Sequence, residues 1–273
     1  MKILIFGDLF GRIGRHALIQ EIDNLRSQYN PDFVIVNGEN ITSGRGPMEK
    51  HMKEVHDIGV DLFTSGDHFF DNEKNLLPYL ERKDCKLIRP ANYYESDFYK
   101  IPGKGYITLK QNGKKLLVIN LLSETFTRDN VYNPFLKVDA ILKKFEKKNE
   151  KLDGIIIDFH KEVGSEGYAM QDFLDGRVSF IFGTHTHIQT NDEQISENGT
   201  GLISDVGMIG PKKSIIGSDY GSLKKRFLTG INKGKIEQSL DKNFIMNGVL
   251  VEIDNNTKKC ISIEKIRKFG KLI

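Results

Sequence analysis

Eight residues of this chain carry the side chains best suited to chemistry: Asp8, Glu39, Asn40, Asp67, His68, His160, His185 and His187. They sit in short motifs, GD, GEN, GDH, DFH and THTH, each closing an apolar run. Carboxylate oxygens and neutral imidazoles together bind divalent first-row metals, whereas magnesium and calcium sites rarely take several histidines. The donor set therefore points to iron, manganese or zinc. With His68 set aside, seven candidate ligands are too many for one tetrahedral zinc and suit two open sites, which a carboxylate such as Glu39 can bridge. Two ions roughly 4 Å apart lower the pKa of a bridging water and clamp phosphate oxygens for in-line displacement. Hydrolysis of a phosphate ester is the expected reaction. The leaving oxygen needs a proton, and His68, beside the ligand Asp67, is the expected general acid. His185 and His187 are two apart, so they share a direction if the strand continues, whereas a turn sends them to different metals.

Something must gather these residues, and the first half of the chain supplies it by alternating apolar runs with helix-like segments. KILIFG, DFVIVNG and DLFTSG read as strands, and ALIQEIDNLRSQY and MEKHMKEVHDIG as helices. That order predicts an α/β fold with parallel strands and crossover helices, whose ligands bind at the carboxyl ends of the strands. Further on, Asn112-Gly113 between alternating runs predicts a hairpin. A helix is expected after Pro134, then strands in GIIIDFH and VSFIFGTHTH, and a last hairpin turning near Asn255.

The whole chain sets limits on function. Its 273 residues are expected to form one domain, 1–273, with no linker-like tract. No apolar stretch reaches the roughly 20 residues that span a bilayer, and the opening MKILIFGDLFGR is too short and too soon charged for a signal peptide. Cys85 and Cys260 lack metal-knuckle spacing and are expected as thiols, which fits a reducing cytoplasm. A net charge of +3 with dispersed lysines leaves an RNA partner open without requiring one, and leaves a homo-oligomer equally open.

GDLFGRIGR, NGEN, GDH, DFH, GTHTH and DVGM follow the order seen in calcineurin-like metallophosphoesterases. Within that group the chain resembles the YmdB-like branch along nearly its whole length, through RPANY, PGKGY, NPFLKVD, THTHIQT and MIGP. The resemblance implies a four-layer α/β/β/α sandwich of two mixed sheets, a di-iron or manganese centre, and phosphodiesterase activity on cyclic nucleotides, 2′,3′-cyclic nucleotides above all. It also implies a ligand set. Asp8, Glu39, Asn40 and His187 would hold one ion, and Glu39, Asp67, His160 and His185 the other, with His68 as acid. The chain departs from the family pattern at one point, because Asp67 stands where GNH has asparagine. A third carboxylate weakens the Lewis acidity of the pair and implies altered metal preference or slower turnover.

Other readings compete with this one. The same centre would serve a phosphomonoesterase or a nuclease, because fold and metals alone do not set a substrate. A regulatory metal-binding protein with catalysis weakened by Asp67 is a second alternative. Gly7, Gly11 and Gly14 fit neither the dinucleotide nor the Walker pattern and read as turn glycines. Arg12 reads as a solvated helix-start residue, and His16, His51 and His56 as surface residues of helices. Asp205 is either a support for a ligand histidine or a turn residue.

Overall fold

The computed structural model describes residues 1–231 and 234–273. The first part of the chain runs β1 (Lys2–Phe6), β2 (Asp8–Leu9), α1 (Gly11–Tyr29), β3 (Phe33–Asn37), α2 (Glu49–His56), β4 (Leu62–Thr64) and α3 (Glu73–Leu80). A second part follows as β5 (Tyr106–Gln111), β6 (Lys114–Leu122), α4 (Pro134–Lys147), β7 (Gly154–His160), α5 (Gly164–Phe173), β8 (Phe180–Thr184), β9 (Gln194–Ile195) and β10 (Gly201–Ile203). The chain ends with β11 (Met208–Pro211), α6 (Tyr220–Thr229), β12 (Asn243–Ile253) and β13 (Cys260–Lys271).

Local chemistry accounts for the main elements. In α1, Ile13, Ala17, Leu18, Ile22 and Leu25 recur at helical spacing and are buried. Asn30 ends that helix in the left-handed region at φ 45°, donating its N–H to the Arg26 carbonyl. The Asn112-Gly113 hairpin has both residues at positive φ, 51° and 75°, as a two-residue turn matched to strand twist requires. Asn133 caps α4 by accepting from the Leu136 amide, and Pro134 takes the first helical position.

Two mixed sheets result. The first has the order β2-β11-β12-β1-β3-β4, with β13 also paired to β12. The second has the order β5-β6-β7-β8-β10-β9. Strands β1, β3 and β4 are parallel, as are β6, β7, β8 and β10.

Side-chain alternation stacks these sheets into layers. Val34 and Val36 of β3 face a core shared with α1, α2 and α3, while Phe33 and Ile35 face the other sheet. In β6, Leu116 and Val118 meet them there, and Leu117, Ile119 and Leu121 turn outward to a third core with α4 and α5. Three cores between four layers form the α/β/β/α sandwich that the resemblance implies. Burying each of these side chains is worth about 1.5–3 kcal/mol, and a one-residue slip of a strand exchanges its two faces, so register is tightly held.

Two details differ from the expectation. Gly14 lies inside α1 and not in a turn, where a Cβ would come within 2.4 Å of the Ile209 carbonyl oxygen. His56 is buried, bonded through Nδ1 to the Tyr79 hydroxyl at 2.8 Å, so it is a structural histidine and not a surface one. Within GLISDVGMIGP, β10 joins the second sheet and β11 the first. Cys85 and Cys260 are free thiols, and no helix among the described residues is long and apolar enough to cross a membrane.

Candidate metal centre

The strand ends deliver the expected residues to one place. Asp8 opens β2, Glu39 and Asn40 follow β3, Asp67 and His68 follow β4, His160 closes β7, and His185 and His187 follow β8. Glu39, Asp67, His160 and His185 each offer a ligand atom, and these atoms all lie within 4.8 Å of one another. His187 turns the other way, with Nε2 2.8 Å from Asn40 Oδ1 and 3.9 Å from Asp8 Oδ1. The turn separates the two histidines. His185 and His187 sit at φ 115° and 65°, a conformation that costs energy for a side-chain-bearing residue and recurs at functional sites. Gly66 makes room for the convergence, since a Cβ there would fall 1.6 Å from Glu39 Oε2 and 2.4 Å from His160 Nε2.

Hydrogen bonds aim the rings. Thr184 donates its hydroxyl to Asp158 at 2.7 Å and so accepts from His160 Nδ1–H at 2.9 Å, which turns the Nε2 lone pair toward Glu39 Oε2, 2.7 Å away. The Ile216 carbonyl accepts from His187 Nδ1–H at 2.7 Å, turning that Nε2 lone pair toward Asn40 and Asp8. Glu162 stands 3.3 Å from His185 Nε2 and leaves Nδ1 facing inward. Such outer partners orient ligand imidazoles in metal sites.

These donors fit a cation. With each imidazole in the neutral form that a ligand takes, acceptor faces acceptor across both halves, and Asp8 Oδ1, Glu39 Oε2 and Asp67 Oδ1 are buried without a hydrogen-bond donor. An unpartnered buried carboxylate oxygen is costly, and a metal ion relieves it. In the protein alone the strain appears in the titration of these groups. Burial pushes Asp8 up to about 7, and burial with the Asp8 charge does the same to Asp205. Burial lowers His185 and His187, keeping both imidazoles neutral as ligands must be. Burial would lower His160 too, but the Glu39 and Asp67 carboxylates outweigh it and hold its pKa well above the usual histidine range.

Comparison with known proteins agrees with this geometry. The family model described as YmdB-like protein matches residues 4–266. The chain belongs to the YmdB-like family. A Bacillus subtilis (strain 168) relative named 2′,3′-cyclic-nucleotide 2′-phosphodiesterase is 39% identical, over 97% of this chain and 96% of its own. The crystal structure of a phosphatase from Mycoplasma pneumoniae superposes with a TM-score of 0.88 at 33% identity, covering 99% of this chain and 94% of the other. A Thermus thermophilus protein gives the same TM-score of 0.88 at 30% identity, covering 98% and 99%.

In this YmdB-like chain the donors open into a cleft of 580 Å³. His68 lines it, with Nδ1 2.8 Å from Asp71 Oδ2. Arg128 Nη1 lies 2.6 Å from the same nitrogen and 3.0 Å from Asp71 Oδ1. Nδ1 cannot donate to Asp71 and accept from Arg128 at once; the carboxylate, approached by both groups, is the stronger partner. Arg45 reaches Asp71 from the other side at 3.2 Å, so two guanidinium groups line the cleft beside His68.

Sequence reasoning missed several of these residues. Asp158 is fully buried, two positions before His160 and so on the same face of β7, a relation that strand periodicity could have flagged. It accepts from Asn37 at 2.9 Å and from the Thr64 hydroxyl as well. Asn37 also accepts from the Glu39 amide at 2.9 Å. Asp71, Arg45, Arg128 and Ile216 carried no signal of their own. Asp205 proves to be the turn residue: its carboxylate accepts from the Thr186 and Gly207 amides at 2.9 and 2.7 Å. Arg12 is exposed at the start of α1, as expected.

Proposed function

We propose that this chain is a metal-dependent phosphodiesterase that opens 2′,3′-cyclic nucleotides, with residues 1–273 acting as one catalytic domain. The observation that carries the reading is the convergence of buried, donor-less carboxylate oxygens and inward-facing imidazole lone pairs on one cleft. In this reading Asp8, Glu39, Asn40 and His187 hold one ion, and Glu39, Asp67, His160 and His185 the other. Mixed oxygen and imidazole donors suit iron or manganese. Bound there, such a pair supplies a water nucleophile near neutral pH and neutralises phosphate charge.

The chain's own side chains do the rest. Arg45 and Arg128 attract the phosphate and orient it over the carboxylates. Hydrolysis forms a bond from a water oxygen to phosphorus and breaks the bond from phosphorus to the 2′ oxygen, leaving a 3′-monophosphate. His68 gives the departing 2′ oxygen its proton, and Asp71 holds the ring by Nδ1 so that Nε2–H faces the cleft. The name of the Bacillus relative supports the choice of substrate and of bond.

Elemental analysis and hydrolysis assays on one preparation test the proposal, with 2′,3′-cyclic AMP, bis-p-nitrophenyl phosphate and p-nitrophenyl phosphate as substrates. About two ions per chain and metal-dependent cleavage of the two diesters ahead of the monoester are expected. A protein that retains no iron or manganese after reconstitution and cleaves none of the three overturns it.

A further inference from the structure

The cleft does not end at the metal ligands. A second cavity of 600 Å³ adjoins it, and the two share Ser43, Arg45, Ile236 and Glu237 as a common wall. Beyond that wall the second cavity is lined by Arg226 from α6 and by Lys235, both exposed. Three cations thus face one carboxylate, Glu237. Ile236 and Leu240, 43% and 63% exposed, line the same cavity and offer apolar surfaces of the kind on which a base face can rest.

Small-ligand sites run from roughly 300 to 1,000 Å³, so the first cavity alone takes a mononucleotide. A single cyclic nucleotide carries one phosphate and leaves Arg226 and Lys235 with nothing to bind. A substrate with further phosphates beyond the reacting one uses both cavities. A basic groove that also presents apolar side chains has the general form of a single-strand nucleic acid track. A 2′,3′-cyclic phosphate sits at the 3′ end of an RNA strand, so the rest of the strand extends from its 5′ side.

We infer that this site takes RNA 3′ ends bearing a 2′,3′-cyclic phosphate, with Arg226 and Lys235 holding phosphates of the preceding nucleotides; the inference rests on the phosphodiesterase reading above. The reaction balances as before: one water is consumed, the bond to the 2′ oxygen breaks, and the strand is left with a 3′-phosphate and a free 2′-hydroxyl.

The test uses the full chain, a double variant Arg226→Ala with Lys235→Ala, and a 5′-fluorescent hexaribonucleotide. Binding is read by anisotropy across a salt series, and cleavage is read with the cyclic-ended hexamer and with 2′,3′-cyclic AMP. The double variant should bind the hexamer about tenfold more weakly and lose about 1.4 from its salt slope, the share of two single-strand phosphate contacts. Its turnover of 2′,3′-cyclic AMP should stay within about twofold of the parent, since neither residue touches the first cavity. The inference is overturned if the double variant binds the hexamer as tightly as the parent does. It is equally overturned if a polyaspartate peptide displaces the hexamer as readily as unlabelled RNA. Hexamer binding that depends on Arg226 and Lys235, without cleavage of either substrate by manganese-loaded protein, would support the RNA track and sink the phosphodiesterase reading.

Discussion

Asp67→Asn separates charge from shape at the centre. Asp67 Oδ1 is buried without a donor and lies within 4.8 Å of ligand atoms of Glu39, His160 and His185. Two unit charges no more than 4.8 Å apart, in an effective dielectric of about 20, interact by at least about 3.5 kcal/mol. The substitution removes one such repulsion with Glu39 and the attraction of Asp67 for a bound cation, while the amide oxygen keeps a donor in the same place. The repulsion with Glu39 is present with and without the ion and drops out of the binding energy, whereas the lost attraction remains, offset in large part by the dipole of the amide oxygen and by the ion's other ligands. A remainder of about 1.4–2.7 kcal/mol corresponds to one to two decades, so the variant should bind manganese about 10- to 100-fold more weakly. Once saturated, its centre is less negative toward an anionic substrate, and kcat on 2′,3′-cyclic AMP should rise about tenfold. Calorimetric titration of metal into the stripped protein, followed by kcat at saturating manganese, reads both quantities. Unchanged affinity together with unchanged kcat would refute the idea that this carboxylate tempers the centre.

Three other outcomes follow from the geometry. Gly66→Ala pushes a Cβ onto Glu39 and His160; metal content should fall below half of the parent's, with circular dichroism reporting whether the fold survives, and normal loading would contradict the account. His68→Ala should cost about 10²–10⁴ in kcat for 2′,3′-cyclic AMP, whose 2′ oxygen needs a proton. The same variant should lose far less on bis-p-nitrophenyl phosphate, whose leaving group departs as a stable anion, and equal losses on both would remove His68 from the acid role. Metal affinity should rise with pH, because the stripped protein holds protons that a cation must displace. Burial raises Asp8 to about 7, and His160 stays protonated above the usual histidine range. Raising pH through about 7 empties Asp8 first, so manganese affinity should climb about tenfold per pH unit below that point for each proton displaced. Titrations between pH 6 and 8 in buffers of different ionisation enthalpy measure the proton release directly, and a flat profile would contradict the assignment.

Much of this protein is legible in local pattern. Alternating faces in DFVIVNG and GIIIDFH, the helical spacing of α1 and the Asn112-Gly113 turn depend on residues a few positions apart, and each is read without knowing its neighbours in space. Seven metal-ligand candidates and His68 were legible for the same reason, because a parallel strand presents its carboxyl end to the ligand edge wherever it sits in the sheet. Tertiary structure decided what lies between strands far apart in the chain. It placed β10 and β11 in different sheets, turned His185 toward His160 and His187 toward Asn40, and buried His56 against Tyr79. It also joined Asp158, Thr184 and His160 into one hydrogen-bonded chain, and put Arg128 and Asp71 beside His68. Tautomers, ring directions and unpartnered oxygens depend on atoms contributed by segments tens to more than a hundred residues apart. Side-chain type says what a group can bind; only packing decides which partners remain within reach.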